Sequence, residues 1–224
     1  MSIFGRPDLP SERLWLWRIG FPPVRALALL LAPIRVEGRE NVPARGPYIL
    51  VSNHISWYDP PGIEFALGLP IRYMGKAEVF EAPLIGGILR GIGNFPVRRG
   101  EADRGALEIA LRVLTIGEPL GFFPEGTRSR TGALRRAKPG IAFLARRSGA
   151  PLVPLAISGT PQAGFPVIPR GKIILRVGTP FHLADLGSTG DDQAVADAIM
   201  GRVAALLPSQ MRGVYADDAP LHLT

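Results

Sequence analysis

The stretch ILVSNHISWYDPPGIEF, residues 49–65, joins a strand pattern to a helix pattern and decides both the fold class and the candidate chemistry. Its apolar and β-branched run ends at Ser52, as expected for a buried strand. Asn53 and His54 follow directly, and Asp59 precedes two prolines, which favour the first turn of a helix. Because ligands gather at the carboxyl ends of strands in α/β sheets, this junction is a candidate site.

Strand and helix patterns alternate from Ile34 onward, which predicts a single α/β domain with a mixed, mostly buried sheet flanked by helices. The domain is predicted to span residues 34–208, and residues 209–224 are predicted to form a C-terminal tail. The strand patterns cover 34–38, 48–53, 71–75, 94–99, 119–124, 151–158 and 172–178, and the helical patterns cover 61–68, 82–92, 104–117, 140–149 and 193–207.

Residues 1–33 are predicted to form an amphipathic two-helix segment that associates with a membrane. The pair Pro22–Pro23 divides a tryptophan-containing helix from an apolar one, and the uncharged run between Arg25 and Arg35 is shorter than the roughly 20 residues of a spanning helix. Tryptophan and flanking arginine are typical of helices that lie in a membrane interface. The alternative is that both helices pack on the domain's own core. The segment also lacks the form of a signal peptide.

Composition narrows the possible chemistry. The chain has no cysteine, which excludes disulfides, thiol catalysis and cysteine-ligated metal sites and indicates a cytosolic or cytosol-facing protein. Residues 88–150 contain twelve Arg and Lys against five Asp and Glu, an excess of seven that equals the net charge of +7 of the whole chain. A local basic region of this kind is typical of proteins that bind nucleic acid, anionic lipid or a phosphorylated substrate.

The pair His54 and Asp59 has two interpretations. In the first, Asp59 is an N-cap of the following helix and His54 is an ordinary polar residue. In the second, the turn folds Asp59 back onto one imidazole nitrogen, fixes the tautomer and leaves the other nitrogen as a general base. The sequence has no cysteine, no G-x-S-x-G elbow and no H-E-x-x-H motif, so no metal or cofactor is expected. The base would act directly on a substrate hydroxyl or on water.

Two arginine-bearing fragments follow other predicted strands. In GFFPEGTRSR, residues 121–130, a glycine-containing turn can direct backbone N–H groups at an anion, with Arg128 as the charged partner. In GNFPVRRG, residues 93–100, Arg98 and Arg99 come just after a strand. The alternative is that both fragments are solvated loops. These arginines follow strands of the same predicted sheet that carries His54 and Asp59 at a strand end. A shared site for the arginines and the His54–Asp59 pair is therefore favoured.

The four motifs NHISWYD, GNFPVRR, FPEGTRS and VPLAI occur in this order between Asn53 and Ile157. Together they resemble the glycerolipid acyltransferases, most closely the 1-acyl-sn-glycerol-3-phosphate acyltransferases. The resemblance implies transfer of a fatty acyl group from acyl-CoA or acyl carrier protein to the sn-2 hydroxyl of lysophosphatidic acid, giving phosphatidic acid without an acyl-enzyme. It also implies a peripheral or monotopic protein on the cytoplasmic face of the cell membrane, in contact with an anionic bilayer surface.

The resemblance assigns roles to named residues of this chain. His54 would be the general base, Asp59 would orient it, and VPLAI would be structural. The residues implied to bind the acceptor phosphate are Arg99, Glu125, Gly126, Thr127 and Arg128, with Asn53, Arg98 and Lys138 as additional candidates. Other possibilities are acylation of another lyso-lipid such as a lyso-ornithine lipid, acyl-CoA hydrolysis, or a non-catalytic anionic-lipid binding module. Nucleic-acid binding is not expected, because no nucleic-acid-binding motif accompanies the basic region.

Overall fold

Short strands alternate with helices along the chain in the computed structural model, which describes residues 14–97, 104–160, 172–187 and 190–216. The strands are β1 (Ile34–Glu37), β2 (Ile49–Ser52), β3 (Arg72–Lys76), β4 (Phe95–Val97), β5 (Leu120–Phe122), β6 (Leu152–Ser158) and β7 (Ile173–Val177). The helices are α1 (Leu14–Leu31), α2 (Asp59–Leu67), α3 (Ala77–Glu81), α4 (Pro83–Gly91), α5 (Arg104–Thr115), α6 (Gly140–Ser148) and α7 (Asp192–Leu206). Each predicted strand and helix of the domain has a counterpart in the structure, although residues 98 and 99 of the predicted strand 94–99 lie outside the described ranges. Helix α3 was not predicted.

All seven strands form one sheet in the order β1-β7-β6-β2-β5-β3-β4. Neighbouring strands are parallel except β6 and β7, which are antiparallel, so the predicted mixed sheet is confirmed. The central strands β2 and β6 are almost wholly buried. Their continuous apolar sequences are typical of strands that are covered on both faces.

The direction of each crossover decides which face of the sheet a helix covers. The connections β2-α2-β3 and β3-α3-α4-β4 advance toward the β4 edge, whereas β4-α5-β5 and β5-α6-β6 return. Since parallel crossovers are right-handed, α2, α3 and α4 lie on one face, here the α2 face, and α5 and α6 on the other, the α5 face. Two separate buried clusters match this division, one containing Ile63 of α2 and the other Val113 of α5 and Leu144 of α6.

The N-terminal segment differs from its prediction. Within the described residues it is one helix, α1, which continues through Pro22 and Pro23, so the prediction of two separate helices is wrong. Proline lacks an N–H donor, but its fixed φ near −65° is helical, and the helix continues at the cost of the missing hydrogen bonds. No helix among the described residues combines the length and apolar character needed to cross a membrane.

One side of α1 packs on α2. The Phe21 ring lies 5.4 Å from that of Phe65, and Arg25 Nε donates to the Phe65 carbonyl at 2.6 Å. The opposite side exposes large apolar side chains. These are Ile19, Val24, Leu27, Leu30 and Leu31. Packing on the domain and an exposed apolar surface therefore coexist on the same helix.

Residues 209–216 pack on the domain, so the prediction of a C-terminal tail over residues 209–224 is wrong for this part. They form two short 3-10 turns that end at Tyr215, which is 2 % exposed. The Tyr215 hydroxyl accepts the Ala137 N–H at 2.8 Å and donates to Asp197 at 2.7 Å. Residues 217–224 lie outside the described ranges.

Candidate active site

His54 and Asp59 form a buried pair at the carboxyl end of β2. The distance from His54 Nδ1 to Asp59 Oδ2 is 2.8 Å. The Asp59 side chain is fully buried, and the His54 side chain is 10 % exposed to solvent. His54 therefore keeps limited access to solvent, whereas Asp59 has none.

Asp59 accepts hydrogen bonds from several directions. Its Oδ2 also accepts the backbone N–H groups of Ile55 and Ser56, both at 2.7 Å, and its Oδ1 accepts the Thr160 hydroxyl at 2.8 Å. An oxygen that already accepts two N–H groups is an acceptor toward the imidazole as well. Nδ1 of His54 therefore carries the proton, and Nε2 is left with a lone pair, as a general base requires.

The structure favours the second interpretation of Asp59. Helix α2 begins at Asp59 with Tyr58 as the N-cap residue, and no side chain makes a capping bond. The Asp59 carboxylate contacts the preceding loop and Thr160 rather than the N–H groups of the helix. Its position in the first turn still places a negative charge at the favourable end of the helix dipole.

The other end of α2 is also anchored. Arg25 donates to the Phe65 carbonyl, and Arg39 donates to the carbonyls of Ala66 and Leu67. These carbonyls have no partner inside the helix, and the arginines satisfy them with favourable charge. The helix that carries Asp59 is thus fixed at both ends.

The turn of FPEGTRS holds the main chain of His54 on both sides. Glu125 Oε1 accepts the His54 N–H at 2.8 Å, and the Ser129 N–H donates to the His54 carbonyl at 2.7 Å. Glu125 Oε2 accepts the Arg135 N–H at 3.1 Å, so both of its oxygens have backbone donors. Burial raises the pKa of Glu125 to about 7, although these N–H groups act in the opposite direction.

This geometry does not support the predicted role of Glu125 in an anion site. Its side chain is only 3 % exposed and is occupied by the backbone of His54 and Arg135. Glu125 instead supports the residue that carries the candidate base, and Ser129 supports it from the opposite side.

Arg128 brings a positive charge to the loop that follows His54. Its guanidinium carbon lies 4.2 Å from the centre of the Trp57 ring, a cation–π contact. Trp57 is 47 % exposed, and Thr127 and Arg128 are half-buried. A guanidinium carries its N–H donors at the edge of its own plane, so its face can contact an aromatic ring while its edge can bind an anion through two N–H groups.

The side chain of Lys138 contacts the FPEGTRS turn at Gly126. Gly126 has a φ of +67°, which favours glycine, and a Cβ there would lie 3.0 Å from the Lys138 methylene carbons. The side chain of Lys138 thus runs along the turn, and the residue is exposed. Lys138 therefore places a further positive charge beside the FPEGTRS segment.

Asn53 has a role in the sheet. Its Oδ1 accepts the Ile157 N–H at 2.8 Å, and its Nδ2 donates to the Ile157 carbonyl at 2.9 Å. The amide thus extends the pairing of β2 with β6 by one residue and is buried. The VPLAI motif lies within β6, as its predicted structural role requires.

Several features of the site were missed by sequence reasoning, and two candidates remain undescribed. The ring of Phe123 stacks on His54 with centroids 4.3 Å apart, and Thr160 reaches Asp59 across 101 positions of the sequence. Phe123 belongs to the GFFPEGTRSR fragment, whereas no local sequence pattern marks Thr160. Arg98 and Arg99 lie outside the described residues. Within the ranges that are described, no three His, Asp or Glu side chains are grouped as metal ligands.

Comparison with known proteins gives a consistent family assignment. Residues 33–158 match the family model described as Acyltransferase. The chain is 32 % identical to the 1-acyl-sn-glycerol-3-phosphate acyltransferase of Bacillus subtilis, over 77 % of this chain and 86 % of that one. It is 33 % identical to the lyso-ornithine lipid O-acyltransferase of Pseudomonas aeruginosa, over 75 % of this chain and 63 % of that one.

The fold has a similar solved structure. The crystal structure of the 1-acyl-sn-glycerophosphate acyltransferase from Thermotoga maritima aligns with a TM-score of 0.66 and 26 % identity, over 87 % of this chain and 79 % of that one. The chain spans only 44–60 % of the length of four further curated relatives that are also named 1-acyl-sn-glycerol-3-phosphate acyltransferases. The match to the family model covers the elements from β1 to β6, which include His54, Asp59 and the FPEGTRS turn.

Proposed function

The chain belongs to the Acyltransferase family, and from that premise we propose that it moves a fatty acyl group from acyl-CoA or acyl carrier protein to the sn-2 hydroxyl of lysophosphatidic acid, giving phosphatidic acid. The observation that carries this proposal is the buried contact of 2.8 Å between His54 Nδ1 and Asp59, in a loop whose main chain is held by Glu125 and Ser129. The relative from Bacillus subtilis and the structural neighbour both bear the name of this activity.

His54 acts as the general base in this proposal. A hydroxyl is a weak nucleophile, so Nε2 takes its proton while the hydroxyl oxygen attacks the thioester carbonyl carbon. The tetrahedral adduct then collapses, the carbon–sulfur bond breaks, and the departing thiolate takes the proton from the imidazolium. Asp59 stabilises the transient positive charge on the ring, and the acyl group passes directly to the acceptor.

The acceptor phosphate is assigned to cations beside the FPEGTRS turn. Arg128 supplies the principal contact. Lys138, which packs against the turn at Gly126, and Arg99, which the motif suggests, supply the others. Binding a phosphate away from the reacting hydroxyl orients that hydroxyl and lowers the entropic barrier. Glycine at position 126 allows the turn to run close to Lys138.

Replacing Arg128 by alanine tests this assignment. We expect the KM for lysophosphatidate to rise about 10–100-fold while the KM for the acyl donor is unchanged, because one charge-assisted contact is worth roughly 1.5–3 kcal/mol. Arg128→Lys should recover only part of the loss, since lysine keeps the charge and loses the planar fork. Initial rates with each substrate varied separately measure both constants.

Arg130 offers a matched control, because it is exposed, carries the same charge and lies two positions further along the chain. Arg130→Ala should leave both constants near those of the wild type. A rise in the donor KM in Arg128→Ala would mean that Arg128 holds a phosphate of coenzyme A or of the carrier protein, and the acceptor assignment would then be wrong.

The role of Glu125 gives a second test. Glu125→Gln keeps one acceptor oxygen but directs an NH2 group at one of two backbone N–H groups, a change that costs about 1–3 kcal/mol. We expect a lower melting temperature and a lower kcat, with the KM for lysophosphatidate unchanged. An increase in that KM at an unchanged melting temperature would instead restore Glu125 to the acceptor site.

The protein is proposed to lie on the cytoplasmic face of the membrane as a peripheral or monotopic enzyme. The outer side of α1 exposes five large apolar residues, while its inner side is fixed to α2. A helix in this arrangement can insert its outer side into the headgroup region without leaving the domain. The acyl chains of the acceptor would then remain in the bilayer.

A lyso-ornithine lipid is the second candidate acceptor, because the relative from Pseudomonas aeruginosa is as similar in identity as the one from Bacillus subtilis. The purified protein should be assayed against lysophosphatidate, a lyso-ornithine lipid and lysophosphatidylcholine, with palmitoyl-CoA and palmitoyl carrier protein as donors. We expect the highest kcat/KM with lysophosphatidate. A higher value with the lyso-ornithine lipid would replace the proposed acceptor, and release of free fatty acid without any acceptor would indicate a hydrolase.

A further inference from the structure

Helix α4 combines an apolar sequence with very little packing. Residues 82–89 carry no charged side chain, and Leu84, Ile85 and Ile88 are 76 %, 52 % and 56 % exposed. Its only buried residues are two glycines. At Gly86 a Cβ would lie 2.1 Å from the Phe80 carbonyl oxygen, so the helix rests on α3 through its backbone. The large side chains of α4 therefore contribute little to the core.

Exposed apolar residues are concentrated on two helices of one face. Among the described residues twelve large hydrophobic side chains are exposed, and eight of them belong to α1 and α4. Helix α1 packs on α2, and the right-handed crossover places α4 on the α2 face as well. Both sets of exposed side chains thus lie on the same side of the sheet.

From this arrangement we propose that Leu84, Ile85 and Ile88 of α4 form a second membrane contact, which inserts into the same bilayer as α1. This inference rests on the proposed function, because a lipid acceptor gives the enzyme its reason to stay at the bilayer. It adds a second point of insertion far from α1 in sequence. Two points of insertion restrict rotation of the domain on the surface, whereas a single helix would leave the domain free to tilt.

The form and charge of the patch favour a bilayer over a protein partner. The apolar residues sit on two separate helices rather than in one groove, which suits a broad, flat partner. Arg90 ends the apolar run of α4, and its guanidinium is held near the Phe80 carbonyl at 3.0 Å and over the Phe80 ring. An arginine next to a short apolar helix is typical of interfacial insertion, where the cation lies among lipid phosphates.

The test is partition of the full chain into vesicles of phosphatidylcholine with a minority of phosphatidylglycerol. The variant Leu84→Gln/Ile88→Gln removes two exposed apolar side chains while keeping good helix-forming residues. We expect the partition coefficient to fall about tenfold or more, because each inserted side chain contributes a large apolar area. The loss should persist at high salt, which screens arginine but does not weaken apolar insertion.

A matched control is Ile116→Gln/Phe143→Gln, which removes two exposed apolar side chains on the α5 face. It should leave partition unchanged. The melting temperature of both variants should stay near that of the wild type, since none of the four side chains is buried. Leu84→Trp should strengthen partition, because tryptophan favours the membrane interface.

Unchanged partition of the α4 variant overturns the inference, as does an equal loss in the α5-face control. If light scattering shows a dimer that the α4 variant converts to a monomer while vesicle binding is unchanged, the patch is an interface between copies and the inference is wrong. Vesicle partition needs no substrate, so failure of acyl transfer to lysophosphatidate would affect the proposed function without altering this result.

Discussion

His54→Ala should lower kcat for acyl transfer by about 10²–10⁴-fold, the range in which a general base contributes to catalysis. The side chain is the donor to Asp59 and retains only 10 % of its exposure, so the variant removes the lone pair that would take the acceptor proton. The His54 main chain keeps its bonds to Glu125 and Ser129, because both involve backbone atoms. The backbone conformation of the loop that contains His54 should therefore be unchanged in the variant.

The melting temperature and vesicle partition of His54→Ala separate catalysis from folding. Both should stay close to the wild-type values while turnover is lost. His182→Ala serves as a matched control, since His182 lies at the start of a 3-10 turn away from the strand end that carries His54. Turnover near the wild-type rate in purified His54→Ala would show that His54 is not the general base.

Asp59→Asn should have a smaller effect, a fall in kcat of about 10–100-fold, because a charge-assisted hydrogen bond becomes a neutral one. The N–H groups of Ile55 and Ser56 require an oxygen at the position of Oδ2, so the amide NH2 turns toward the Thr160 hydroxyl. The hydroxyl can accept it by rotation, and the His54 tautomer is preserved. What is lost is the negative charge that stabilises the imidazolium.

The melting temperature distinguishes a catalytic from a structural role of Asp59. It should stay near the wild-type value in Asp59→Asn while kcat falls, because the hydrogen bonds of the side chain to Ile55, Ser56 and Thr160 can be kept. A loss of turnover that follows an equal loss of melting temperature would make Asp59 a residue of structural stability alone.

The sequence predicted the parts of the site that depend on local spacing. His54 and Asp59 lie five positions apart across one strand–helix junction, and the intervening turn brings them to 2.8 Å. The strand and helix patterns of the domain were also local, since each arises from apolar periodicity within one segment. The order of strands in the sheet is not a local property, because it depends on which strands pair across long connections.

Contacts between distant segments could not be predicted from spacing. Thr160 meets Asp59 across 101 positions, and Glu125 meets the His54 backbone across 71. Glutamate in a glycine-containing turn gives no sign of whether its carboxylate faces solvent or the interior. The single helix through Pro22 and Pro23 was not predicted, because two consecutive prolines usually indicate a helix end. In this chain the helix continues through both of them.

Direct acyl transfer by His54 is tested most directly in one turnover with an acyl-labelled CoA thioester. The purified enzyme, in excess over the donor, is mixed with lysophosphatidate on vesicles and quenched at short times. We expect label to pass from the thioester into phosphatidate at one rate, with no label retained on precipitated protein. His54→Ala should form no phosphatidate at these times. Label covalently bound to the protein, or equal phosphatidate formation by His54→Ala, would contradict direct transfer by His54.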